Sequence, residues 1–139
     1  MRNAQPKLKL KLKMIGAILL ALICLCPAYG QQARMVLLGN TRVDGGRDHD
    51  TINVGGAASG AFRAIQLRVT GGAIRFDRLV VRYGNGTQEE IPIRNRIAAG
   101  SRTRVIDLPG ERRIIRSVDL WYGKERWRTR PRVTLYGIR

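Results

Sequence analysis

The stretch FRAIQLRVTGGAIRFDRLVVRYGNG, residues 62–86, carries the alternation from which the fold is read. Ile65, Leu67 and Val69 fall on one side and Gln66, Arg68 and Thr70 on the other, the period-two pattern of a strand with one face in a core. Gly71-Gly72 supplies a turn. Ile74 and Phe76 then share one phase, while Leu79, Val81 and Tyr83 share the opposite one. Asn85-Gly86 is a strong hairpin signal, because a type I′ turn needs positive φ at both central positions.

The flanking segments repeat the pattern. QEEIPI (88–93) reads as a returning strand, and Pro92, which has no N–H for a ladder, belongs at a sheet edge. A looser stretch, IRNRIAAGS (93–101), precedes RTRVIDLPG (102–110), where Pro109-Gly110 makes a turn. RRIIRSVDLWY (112–122) and RVTLYG (132–137) are further strands, and RMVLLGN (34–40) and TINV (51–54) come before all of these. No segment keeps a helical period for three turns. Short strands with turns between them specify an all-β chain, a single antiparallel β-sandwich of jelly-roll or related Greek-key order.

The N-terminus has a different grammar. Arg2, Lys7, Lys9, Lys11 and Lys13 precede an apolar run from Met14 to about Cys26, followed by small residues at Ala28 and Gly30. This is the pattern of a secretory signal, and its apolar run falls short of the roughly 20 residues that span a bilayer. The expectation is a signal peptide over residues 1–30, cleaved after Gly30, with the β-sandwich over 31–139. The protein is then exported, periplasmic or secreted, and meets the membrane only through its signal. Cys24 and Cys26 would leave with that segment. No disulfide, thiol nucleophile or thiolate metal ligand would remain.

Charge narrows the partners. The chain holds 26 Lys and Arg against 10 Asp and Glu; without the five cations of the leader, 21 remain and the balance is about +11. Twenty of those 21 are arginine, Lys124 being the exception. In the cytoplasm such a surplus would suggest nucleic acid, but an exported protein is not expected to meet it. An anionic envelope surface or an acidic glycan fits better, since guanidinium grips carboxylate and phosphate with paired donors. Arginine-favouring codon usage, with the charges on solvated strand faces, would give the same composition.

Two stretches concentrate the arginines. In KERWRTRPR (124–132), Arg126, Arg128 and Arg130 alternate around Trp127, a combination suited to holding an anionic or glycan ligand, or to a twisted hairpin with Trp127 packed on the sandwich end. In SRTRVIDLPGERRIIR (101–116), a hairpin through Leu108-Pro109-Gly110 would set Arg102 and Arg104 near Asp107 as structural ion pairs.

The segment VDGGRDHDTINVGG (43–56) gathers Asp44, Asp48 and Asp50 beside the chain's only histidine, His49. Its carboxylates are a candidate calcium site, although the EF-hand spacing is absent. Zinc lacks a second histidine. The alternative is structural: Asp48 and Asp50 would bind turn backbone or pair with arginine. No other cofactor is expected.

The motifs LLGNTRVDGGRDHDTINVGG, FRAIQLRVTGGAI, YGNG and GSRTRVIDLPGERRIIRSVDLWY together resemble an uncharacterised family of small secreted bacterial proteins. That resemblance implies export and a β-sandwich, and it carries no activity or site residues with it. For catalysis there is no Gly-x-Ser-x-Gly elbow, and adjacent Glu89 and Glu90 on a strand point to opposite faces. The expected function is a non-enzymatic binding or structural module that contacts an anionic envelope component through arginine-rich loops. A carbohydrate- or calcium-binding module comes second, and a hydrolase with an unrecognised site third.

Overall fold

The computed structural model describes residues 33–45, 48–123 and 125–139. The segment expected to be a signal peptide, its expected cleavage point and both cysteines lie outside the described residues. Residues 33–139 make up one compact unit. It holds eight strands: β1 (Met35–Arg42), β2 (His49–Asn53), β3 (Ala64–Thr70), β4 (Ile74–Tyr83), β5 (Gln88–Ile97), β6 (Ile106–Asp107), β7 (Ile115–Tyr122) and β8 (Arg132–Ile138), with a 3-10 turn at Gly56–Ala58. Among the described residues no helix is long and apolar enough to cross a membrane.

Two four-stranded sheets form, ordered β1-β8-β3-β6 and β2-β7-β4-β5, and every pairing is antiparallel. Successive strands alternate between sheets at β1–β2, β2–β3 and β3–β4, and the last strand returns beside the first. This is the jelly-roll solution, a β-sandwich whose chain ends pair with each other. β5 lies at the edge of its sheet, and Pro92 stands on that edge strand opposite Arg78.

The core is built from the inward halves of the alternating strands. Ile65, Leu67 and Val69 of β3, Leu79 and Val81 of β4, Val118 and Leu120 of β7, and Val133 and Leu135 of β8 are fully buried. Each such side chain contributes about 1.5–3 kcal/mol relative to exposure. The change of phase between Phe76 and Leu79 does not divide two strands. A bulge at Asp77 inserts one extra residue relative to β7, so a single ten-residue strand keeps Ile74, Phe76, Leu79, Val81 and Tyr83 all inward. Across the same bulge β5 runs Pro92 to Asn95 opposite Arg78 to Phe76, and Arg94 there takes φ +44°. The first half of the irregular-looking 93–101 segment is therefore the end of β5.

Two other expectations change. At the β4–β5 turn Gly86 has φ +87° and Asn85 does not have positive φ, so the loop is not type I′. Gly86 N–H donates to Tyr83 O and Tyr83 N–H to Thr87 O, the pattern of a longer loop closed by a glycine bulge. The 102–107 and 112–116 segments do not pair as a hairpin. β6 joins β3 in one sheet while β7 enters the other, because the chain crosses the sandwich at Pro109-Gly110.

Gly137 shows how closely the halves fit. A Cβ there would lie 2.4–2.9 Å from three ring carbons of Phe62, which is fully buried. Gly137→Ala is expected to destabilise the domain by about 1–3 kcal/mol through overpacking. Thermal or urea unfolding measures it, and an unchanged stability would contradict the packing.

Candidate functional site

Alternation that buries branched side chains must also aim the intervening residues at solvent, and the two sheets do so with opposite electrostatic results. On the β2-β7-β4-β5 sheet, cross-strand rows run His49–Trp121–Arg78–Pro92 and Thr51–Asp119–Val80–Glu90. Several cations and carboxylates here are paired. Asp119 is only 5% exposed. It accepts hydrogen bonds from Thr51 Oγ1 at 2.7 Å and Arg82 Nε at 3.0 Å, with His49 Nε2 3.8 Å away. The His49 ring stacks on Trp121 at 4.4 Å, and the Arg78 guanidinium lies over the same ring at 4.5 Å. Arg78 also faces Glu90 at 3.8 Å, and Arg96 faces Glu125 at 3.6 Å.

The outer face of the β1-β8-β3-β6 sheet is different. One row holds Arg42, Arg132 and Thr70, and the next holds Asn40, Thr134 and Arg68. Arg102 extends that second row through an isolated bridge to Arg68. Tyr136 stands between Leu37 and Gln66 in the third row. β1, β3 and β8 contain no aspartate or glutamate. The acid of this sheet is Asp107, on β6 beyond Tyr136, in register with Ala64. Arg132 donates to Asn40 Oδ1 at 2.7 Å, and Arg102 lies 5.6 Å from the Tyr136 ring. None of Arg42, Arg68, Arg102 and Arg132 has a carboxylate partner among the described residues. Leu37 and Met35, 56% and 40% exposed, border the patch.

Trp127 is half-buried rather than presented to solvent. Its indole N–H donates to Ala73 O at 2.7 Å, it packs on the core, and it meets Tyr122 at 6.3 Å. Arg126, Arg128 and Arg130 are exposed around it. Thr129 Oγ1 donates to Gly71 O at 2.6 Å, which fixes this loop at the β3–β4 turn, beside the Arg42–Arg132–Thr70 end of the basic face.

The aspartates of the 43–56 segment serve β7. Asp50 accepts a 2.6 Å hydrogen bond from the Tyr122 hydroxyl, and Asp44 O lies 3.4 Å from the same hydroxyl. Asp48 O accepts from the Tyr122 N–H. Among the described residues no group of three or more histidine, cysteine, aspartate or glutamate side chains is arranged to hold a metal ion. Neither Asp48, Asp50 nor Asp107 forms an ion pair among the described residues. For Asp107 the reason is the crossing described above, which also sends Arg102 to Met35 Sδ and Tyr136. Arg104 is exposed.

The basic face was not singled out from sequence, although one signal was present. Three strands without a carboxylate are visible in the chain. That they share a sheet is not, since β1, β3 and β8 are far apart in sequence.

Site and fold thus define a jelly-roll β-sandwich with one outer sheet that carries acids as well as arginines and one basic outer sheet. Residues 17–137 match the family described as Domain of unknown function (DUF2541), and the chain belongs to that family. Among curated proteins no sequence matches the chain. Among solved structures, one of Pseudomonas aeruginosa AlgX is similar at a TM-score of 0.47 and 12% identity, covering 73% of this chain. This chain spans 26% of that one.

Burial pushes the Tyr122 phenol well above its ordinary value, and the hydrogen bond to Asp50 and the charges of Asp50, Asp44 and Asp48 push it further. Tyr83 is raised in the same sense, first by burial and then by its hydrogen bond to Glu89. A phenol that holds its proton more tightly when folded stabilises the fold fully below the unfolded value near 10, and loses that contribution as pH rises past it. The melting temperature is expected to stay level to about pH 9 and fall above about pH 10, with a shallower fall in Tyr122→Phe. An equal alkaline fall in that variant would remove Tyr122 as its cause.

Proposed function

We propose that the protein is an exported, non-enzymatic binding module that holds an acidic glycan of the cell envelope on the outer face of its β1-β8-β3-β6 sheet. The observation that carries this reading is the gathering of Arg42, Arg68 and Arg132 on one face of three strands that contain no acid, extended by Arg102, which bridges to Arg68 and lies 5.6 Å from the Tyr136 ring. Guanidinium groups offer paired donors to carboxylate or sulfate, and unmatched cations on one face create a field that draws in a polyanion. Neighbouring strands lie about 4.8 Å apart and same-face residues about 7 Å apart along a strand, so the cations recur at the scale of a sugar chain's charged groups. Asn40, Thr70, Thr134 and Gln66 add neutral partners for hydroxyls, and the Tyr136 ring offers an apolar surface.

The sequence places the arginine loop at the centre of binding; the sheet shifts that centre. Arg126, Arg128 and Arg130 become an extension of the face, with Trp127 anchoring the loop. The non-enzymatic reading is supported by the chemistry around His49, whose ring is stacked on Trp121 and whose carboxylate neighbour already accepts from Thr51 and Arg82.

The test is titration of the purified protein with a polyuronate at low and high salt. Binding is expected at low salt, weakening steeply as screening grows. Changing Arg68, Arg102 and Arg132 together to alanine is expected to weaken it at least tenfold. Changing Arg126, Arg128 and Arg130 should cost less. The proposal fails if the face variant binds as well as the parent while remaining folded. Equal binding of a neutral glucan would also count against it, and preferential capture by anionic lipid vesicles would move the ligand to a membrane surface.

A further inference from the structure

We infer that the opposite sheet carries a second, separate site: a cleft at the β4–β5 bulge that binds a single sugar acid, a hydroxylated ring with one carboxylate. The cleft has a volume of about 400 Å³ and is lined by Arg75, Asp77, Arg78, Glu90, Pro92 and Arg94. That is within the range of small-molecule sites, at its smaller end.

Three local costs meet there. Arg94 holds a left-handed backbone at φ +44°, the only non-glycine residue with positive φ among those described. Side chains other than glycine, asparagine and aspartate adopt that conformation rarely, and such strain collects at ligand sites. Arg75 lies directly opposite Arg96 on the neighbouring strand, a like-charge pair that β-pairing disfavours. Glu125 relieves Arg96 at 3.6 Å, and no carboxylate does the same for Arg75 among the described residues. The side chain of Asp77, the bulged residue, has neither a hydrogen bond nor an ion pair among the described residues. Arg78, Arg82 and Arg96 of this sheet have carboxylate neighbours, whereas Arg75, Arg94 and Asp77 stand together at the cleft without an ion-pair partner among the described residues. Breaches of local rules that gather at a cleft are the mark of function rather than of folding.

The composition of the walls selects the ligand. Arg75 and Arg94 are free to grip a carboxylate, and Arg78 is held in position by Trp121 beneath its guanidinium, with its buried Nε lacking a hydrogen bond. Among the described residues the Asp77 side chain has no donor and Glu90 only the Arg78 guanidinium at 3.8 Å, so sugar hydroxyls can donate to both; inorganic phosphate would meet their repulsion instead. A neutral sugar would leave the guanidinium groups idle. Pro92 offers a nonpolar surface to ring C–H groups. This site uses none of the residues of the basic face, so the two readings stand or fall separately.

Calorimetric titration with glucuronate, glucose, glutamate and inorganic phosphate tests it. Saturable one-site binding of glucuronate is expected, at least tenfold tighter than that of the other three. Arg94→Gly is expected to weaken glucuronate binding at least tenfold while leaving the melting temperature equal or higher, since glycine adopts the left-handed backbone without strain. Asp77→Asn should weaken binding several-fold in a folded protein. The Arg68, Arg102 and Arg132 triple variant should bind glucuronate as the parent does. Absence of saturable heat, equal affinity for glucose or glutamate, undiminished binding by Arg94→Gly, or loss of binding in the triple variant would each overturn the proposal.

Discussion

A guanidinium group cannot enter the apolar space between two sheets, and this constraint organises the molecule. Burying an unpaired charge costs far more than any single side chain gains by packing. With 20 arginines in the segment from residue 31 to 139, alternation has to send nearly every second strand position outward. The inward positions are left to isoleucine, leucine, valine and a few aromatics. The jelly roll meets this requirement by turning both sheets' apolar faces toward each other. Where the phase slips, as at Asp77, a bulge restores it instead of burying Asp77 or Arg78.

The same constraint leaves the outer faces to be distinguished by where the acids fall. Strands β2, β4, β5 and β7 hold Asp50, Asp77, Glu89, Glu90 and Asp119, so their sheet can answer its own arginines. Asp119 shows how far this goes: almost buried on an outer face, it is satisfied by Thr51 and Arg82 and flanked by His49. Strands β1, β3 and β8 have no such residue. Arg132 of β8 finds an asparagine instead, and Arg102, bridged to β3, a tyrosine ring and a methionine sulfur. Weakly held cations on one face keep their capacity for an external anion, which is why the proposed glycan surface lies there.

Much of the fold was legible. Period two in residues 62–83 set the strands, Pro92 marked an edge, and the absence of a helical period excluded other classes. What could not be read was pairing. The Pro109-Gly110 turn looks like a hairpin because local chemistry is the same whether the chain folds back or crosses to the other sheet. That ambiguity misdirected Arg102, Arg104 and Asp107 into an ion-pair ladder. The aspartates near His49 were legible as a cluster but not as partners of Tyr122, some 70 residues away, since β2–β7 pairing supplies that contact. Trp127 was readable as packing or binding, and the hydrogen bond to Ala73 gives it the packing role. The basic face, assembled from strands at the two ends and the middle of the domain, is the feature that sequence order hides most completely.

The most direct measurement is an amide chemical-shift map of the protein titrated with a short polyuronate. The account predicts perturbations centred on Asn40, Arg68, Thr70, Thr134 and Tyr136, spreading toward Arg130 through the adjoining loop. Shifts centred on β2 and β7, with β1, β3 and β8 unmoved, would contradict it.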